Sequence, residues 1–321
     1  MSWLLWIAII GAVLAAGAVF VFLRKPSPDK LYNQAIDAYQ QNNLDHAEAL
    51  FMKALSLKSD YANCYYNLGL IHQRRNEMDA AKSRFHECLS YAQDDLDTLY
   101  NLSLIYYGEQ DYTQAAALLV HATRVHPHDA DSHFTLGLVL EAENQIDEAI
   151  EAYRQSIALD PENVDAYIYW GKLCDRKQNY PDAIQAYQQA IGIDPRHIEA
   201  HYELSITLAK VGKWPETVAH CQQAIEIDPR FAKAYNQLGL AYYCQDDCAL
   251  AIEQYRTAIK IDPEYATAFN NLAYAYEKLD QYQNAIETFE QYLLLGVDET
   301  ESDEIRKHIQ LLQKKMLEQG S

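Results

Sequence analysis

With only 11 Gly and 9 Pro among 321 residues, the chain has too few turn formers for an all-β or Gly-loop fold, and its abundant Ala, Leu, Ile, Gln, Glu and Tyr suit helices. A formal charge of −20 without a basic patch argues against nucleic acid as a partner, because phosphate binding needs clustered Lys and Arg. Cys64, Cys88, Cys174, Cys221, Cys244 and Cys248 form no CxxC pair, which points away from a disulfide framework or zinc ribbon and toward reduced, mostly buried thiols in a cytosolic compartment.

At the N-terminus, residues 2–23 (SWLLWIAIIGAVLAAGAVFVFL) carry no charge. A helix of about 22 residues reaches roughly 33 Å, enough for a ~30 Å hydrocarbon layer. Trp3 and Trp6 near one end, and Arg24 and Lys25 at the other, suit the two interfaces. The sequence therefore predicts one transmembrane helix over 2–23, with the N-terminus outside and the rest of the chain cytoplasmic, since cations stay on the cytoplasmic side. Ala16-Gly17-Ala18 resembles a signal-peptide cleavage site, but no Lys or Arg precedes the apolar run, which favours an uncleaved anchor. Residues 24–29, with Pro26-Ser27-Pro28, read as a short stiff linker.

From Pro28 onward the chain has a 34-residue period, dividing without insertion into 28–61, 62–95, 96–129, 130–163, 164–197, 198–231, 232–265 and 266–299. Position 8 of each repeat is small: Ala35, Gly69, Ser103, Gly137, Gly171, Ser205, Gly239 and Ala273. Position 20 is Ala in every repeat except the sixth, which has Thr217, and position 24 is bulky except at Cys221. Proline occupies position 32 in repeats three to seven, at Pro127, Pro161, Pro195, Pro229 and Pro263. These patterns predict helix hairpins in which positions 8 and 20 face each other across a close contact, with Gly171 opposite the Ala183 region. Proline then ends the second helix, and stacking of neighbours makes one continuous core.

The pattern resembles the tetratricopeptide repeat (TPR) family over residues 28–299. The resemblance implies an all-α fold, a right-handed superhelical solenoid of eight TPR helix hairpins. Thr217 and Cys221 suggest a slightly looser sixth hairpin. Within 300–321, Glu301-Ser302-Asp303-Glu304 is expected to cap a final helix whose Ile305, Ile309, Leu312 and Met316 cover the last repeat. With fewer than three heptads, that helix is a poor coiled-coil segment.

In TPR proteins, positions 2, 5, 6, 9, 12 and 13 of the first helix tend to face a concave groove. Position 6 holds Asn33, Asn67 and Asn101, then Thr135, Tyr169 and Glu203, then Gln237 and Asn271. Such a column is similar to the asparagine ladder of O-linked N-acetylglucosamine transferases, and implies pairing with the backbone of an extended peptide, since an amide both donates and accepts. Position 5 adds Tyr66, Tyr100, Phe134 and Tyr202 as rigid contact surface. Position 2 is largely acidic, with Asp29, Asp97, Asp131, Asp165 and Glu199; it reads either as a solvated face or as a preference for basic partners. Positions 2, 5, 6 and 9 of repeats one to four hold no Lys or Arg, so the carboxylate clamp of chaperone-binding TPRs is absent.

No phosphate loop, HExxH or nucleophile elbow occurs. His126, His128 and His133 fall at a repeat junction, and Cys244 and Cys248 lack further ligands nearby in sequence. No catalysis, cofactor, metal or small-molecule substrate is therefore expected. The leading expectation is a non-catalytic scaffold or adaptor that binds extended segments of client proteins at the membrane. One alternative is a regulatory adaptor of envelope biogenesis, similar in layout to bacterial lipopolysaccharide-assembly regulators but without their C-terminal CxxC module. Another is an accessory specificity subunit of a separate glycosyltransferase.

Overall fold

The computed structural model describes residues 26–296 and 298–319. The expected membrane segment, with Trp3, Trp6, Arg24 and Lys25, lies outside them. Among the described residues there are seventeen helices and no strand, and no helix is long and apolar enough to cross a membrane.

The described residues form two compact units, divided between Glu143 and Asn144. The first contains α1 (Pro28–Gln40), α2 (Leu44–Leu57), α3 (Ala62–Arg74), α4 (Met78–Tyr91), α5 (Leu96–Gly108), α6 (Tyr112–Val125) and α7 (Ala130–Ala142). The second contains α8 (Ile146–Leu159), α9 (Val164–Arg176), α10 (Tyr180–Ile193), α11 (Ile198–Lys210), α12 (Trp214–Ile227), α13 (Ala232–Cys244), α14 (Cys248–Ile261), α15 (Ala266–Lys278), α16 (Tyr282–Leu294) and α17 (Glu299–Gln319). Helices alternate between a first and a second arm.

Within each unit one turn geometry joins the arms. Position 15 is left-handed at Asn42, Asn76, Gln110, Asn144, Gln178, Gly212, Asp246 and Asp280, with φ between 56° and 74°. The following amide then reaches back across five residues to close the end of the first helix, as in Asn43 N to Ala38 O (2.9 Å), Asn179 N to Cys174 O (2.8 Å) and Gln281 N to Tyr276 O (3.0 Å). This is the Schellman closure, which satisfies carbonyls that the helix end would otherwise orphan. At Asn43, Asp111 and Asp247 the same residue also caps the second helix through its side chain.

The hairpin contact differs in register from the sequence expectation. A Cβ added at Gly171 would lie 2.7 Å from Tyr187, and one at Gly239 would lie 2.6 Å from Tyr255. Position 8 therefore meets position 24, and the clash at Gly171 is with Tyr187, not with the Ala183 region. The reason is antiparallel geometry: residues at similar distances from the turn at 15–16 meet, which pairs 8 with 24. The Ala column at position 20 is fully buried all the same, and Thr217 and Cys221 are as buried as their counterparts.

In repeats one to seven the second helices end at position 30 whether or not proline follows, as at Leu57 and Tyr91 without it and at Leu159 and Ile193 with it, and in repeat eight at Leu294, one position earlier. Where Asp stands at position 31, its carboxylate accepts from the amide two residues on, as in Asp194 with Arg196 N (2.9 Å) and Asp228 with Arg230 N (2.9 Å). Small side chains also line a seam between successive repeats, where Cys88 Sγ lies 3.2 Å from Thr98 Oγ1.

The last helix begins earlier than expected. Its cap is Asp298, whose carboxylate accepts from Glu301 N at 3.0 Å, so Glu301 and Ser302 lie inside the helix. Ile305, Ile309 and Leu312 are buried against Phe269, Ala273 and Phe289. Met316, expected on that face, is 37% exposed.

Candidate functional site

In the first unit, the columns at positions 5 and 6 are joined between repeats. Asn67 donates one amide hydrogen to the Tyr32 hydroxyl (3.3 Å) and the other to Asn63 O (2.8 Å). Asn101 repeats the arrangement with Tyr66 (3.4 Å) and Asp97 O (2.8 Å). Thr135 then donates to the Tyr100 hydroxyl at 3.3 Å. Each link spans 35 residues, one repeat plus one position.

This bonding changes what the asparagines offer. Both donors are used internally, and the Oδ1 atoms of Asn67 and Asn101 have no partner among the described residues. Each tyrosine hydroxyl accepts, so its own hydrogen remains to be given. Burial, then Asp97 and Asp95, push the Tyr66 hydroxyl up to about 12, which keeps it a protonated donor at neutral pH. The first two junctions thus display an O–H donor beside an amide acceptor, the complement of a peptide group, whereas the partner of Tyr100 at the third is the Thr135 hydroxyl. Asn67 is only 7% exposed, so its orientation is fixed by packing as well as by bonding. Asn33 is exposed, and Phe134 is half-buried and has no hydroxyl to carry the series further.

The second unit is built differently. Asn271 donates to Asn236 Oδ1 at 2.9 Å, an amide–amide version of the link. Gln237 is buried, and Tyr202 packs edge-on against Phe231 at 5.1 Å between centroids. Between these, charge fills the columns. Lys172 at position 9 pairs with Glu199 and approaches Glu203 to 3.9 Å, while Asp175 pairs with Lys210 and accepts from Thr207 Oγ1 at 3.1 Å. Burial raises the Glu203 carboxyl, and Lys172 opposes that shift.

Other sequence candidates have local roles. His126 Nε2 lies 2.6 Å from Asp94 O, and His133 Nε2 lies 3.3 Å from Pro127 O, so both rings tie the turn. Among the described residues no three His, Cys, Asp or Glu side chains are grouped to hold a metal. Five cysteines are buried thiols and Cys244 is exposed; none forms a disulfide. Reading the columns one at a time misses the Tyr–Asn links, although their signal is present as a Tyr at position 5 followed 35 residues later by an Asn.

A 34-residue helix hairpin repeated in register, with polar side chains linked along its first arms, defines a helical-repeat protein. Tetratricopeptide repeat models match residues 32–81, 100–164 and 134–198, then 207–246 and 247–280, and finally 266–295. The chain belongs to the tetratricopeptide repeat family. Among solved structures, the C-terminal part of a TPR repeat-containing protein from Cytophaga hutchinsonii has a TM-score of 0.62 at 18% identity, covering 75% of this chain and 98% of that one. PilF of Pseudomonas aeruginosa gives 0.55 at 18%, covering 66% and 97%. YrrB, a TPR protein with an unusual peptide-binding site, gives 0.50 at 21%, covering 60% and 99%. These are likenesses of fold. No curated protein matches the sequence at a significant level.

Proposed function

We propose that the chain is a non-catalytic scaffold that binds extended segments of client proteins, held at a membrane by residues 2–23 with its repeats in the cytoplasm. The observation that supports this is the row of tyrosine O–H donors and asparagine acceptors in repeats one to three. An extended peptide exposes one amide and one carbonyl per residue, so such a row meets its backbone without selecting its side chains. The apolar, uncharged run at 2–23 with Arg24 and Lys25 behind it supports the anchoring and its orientation.

The test is affinity purification of the full chain from its native membrane beside the double variant Asn67→Ala, Asn101→Ala. Loss of a specific partner from the variant, with thermal stability within a few degrees of the parent, supports the reading. An unchanged set of partners removes the ladder from it. Protection of the repeats from protease added to sealed cells tests the orientation, and digestion there overturns it.

A further inference from the structure

We infer that the first unit selects an extended segment carrying an apolar side chain and, about five residues away, a Lys or Arg; this rests on the peptide-binding function proposed above and names the chemistry of the partner. The geometry lies along α5. Asp97, Asn101, Leu104 and Gly108 follow one another at i, i+4, i+7 and i+11, which places them on one stripe of a helix turning 3.6 residues at a time. At one end is a carboxylate, next an amide acceptor, and at the other end a pocket.

The pocket measures about 270 Å³ and is lined by Gln73, Met78, Leu104, Ile105, Gly108 and Glu109. Three of these are large and apolar, and Gly108 opens the floor, since a Cβ added there meets nothing within 4 Å. Its polar rim is partly neutralised, because Glu109 is paired with Lys82 at 2.8 Å. A Leu, Met or Phe side chain fits this chemistry, and burying one is worth about 10- to 100-fold in affinity.

The other end of the stripe supplies the charge preference. Asp97 and, in the next repeat, Asp131 are exposed, and neither carboxylate has a cationic partner among the described residues. In the second unit Asp165 is exposed and likewise has no cationic partner among the described residues, but Glu199 shows what a position-2 carboxylate can take. There Glu199 is paired with Lys172 of this same chain, so the cation is built in. In the first unit it is missing, and charge complementarity assigns it to the ligand. Asp97 and Gly108 stand ~16 Å apart along the helix axis, so the selected stretch runs along α5 and crosses the row of Tyr–Asn links at Asn101, where about five residues of extended chain cover the distance.

The test uses the full chain in detergent and a displayed library of random twelve-residue peptides. The inference expects enrichment of peptides with a large apolar residue and a Lys or Arg about five positions apart. Gly108→Leu, which fills the pocket while replacing glycine in a helix, is expected to lower their affinity about 10-fold or more with no loss of thermal stability. Asp97→Asn is expected to lower it about two- to fivefold at low salt and less at high salt. Enriched peptides without this pair, still dependent on Asn67 and Asn101, overturn the inference and leave peptide binding standing. Enrichment of nothing overturns both, as does binding indifferent to all four substitutions.

Discussion

Gly171 and Tyr187 are in contact across a hairpin so closely that a Cβ on the former would stand 2.7 Å from Cε1 of the latter. Tyr187 is buried, with 1% exposure, and has no room to retreat. Gly171→Ala is therefore expected to destabilise by about 1–3 kcal/mol through overpacking, outweighing the helix propensity gained. Gly108→Ala, where a Cβ meets nothing, is expected to stabilise by about 0.5–1 kcal/mol. Denaturant midpoints of the pair check the register, and equal shifts of the same sign would sink it.

Gln178 sits at φ 61°, a left-handed conformation that costs an ordinary L residue about 1–2 kcal/mol. Gln178→Gly is expected to raise stability by up to about 1 kcal/mol, and Gln178→Val to lower it by a similar amount or more. Chemical denaturation reads both. A destabilising Gly at this site would mean that the turn is held by some contact of the Gln side chain.

His201 and His220 supply a pH dependence. His201 Nε2 lies 3.1 Å from Pro195 O, so it carries the proton there, and its Nδ1 accepts from His220 Nδ1–H at 3.0 Å. Burial first, and His201 second, hold His220 below its ordinary 6.5, with Glu216 opposing them. The folded state therefore prefers the neutral ring. The unfolded chain binds more protons below 6.5, so this stabilisation is present above that pH and is lost as pH falls. Thermal melts from pH 7.5 to 5 should show a drop that is smaller in His220→Gln, and equal slopes would refute the assignment.

Phe85 and Phe289 are fully buried, one in each unit. Truncation of either to Ala should cost about 3–5 kcal/mol. Calorimetry of the two variants also asks whether the units melt separately: a single shifted transition for both argues for one cooperative block, and two transitions argue for two.

Tyr66→Phe removes only the hydroxyl that Asn101 uses. A double-mutant cycle with Asn101→Ala should give a coupling of about 0.5–1 kcal/mol in stability. Zero coupling would mean that this bond does not form in solution.

Much of this architecture is visible as a 34-residue period. The first arms start at Pro28, Ala62, Leu96 and so on through Ala266, because the same local and packing signals recur at each register. What the period hides is geometry set by pairs. That position 8 meets 24 follows from where the turn lies, and the turn is marked only by a column of Asn, Gln, Asp and one Gly that looks like an ordinary polar loop. The candidate site is legible as residue types and illegible as bonds: Asn67 reads as a free amide until Tyr32 and Asn63 are seen to take its hydrogens. Asp298 as the final cap is obscured by the acidic cluster that follows it.

The ends of the second helices have a consequence for the chain before it folds. Because Leu57 and Tyr91 stop at the same position as Leu159 and Ile193, proline at position 32 is not needed to stop a native helix. Its leverage is on the disordered polypeptide, where a fixed φ narrows the conformations available at five of the eight repeat junctions and ends. Repeats three to seven therefore begin from a more restricted ensemble than repeats one, two and eight. That bias favours ordering from the middle of the array outward, and leaves the terminal hairpins as the segments most easily opened.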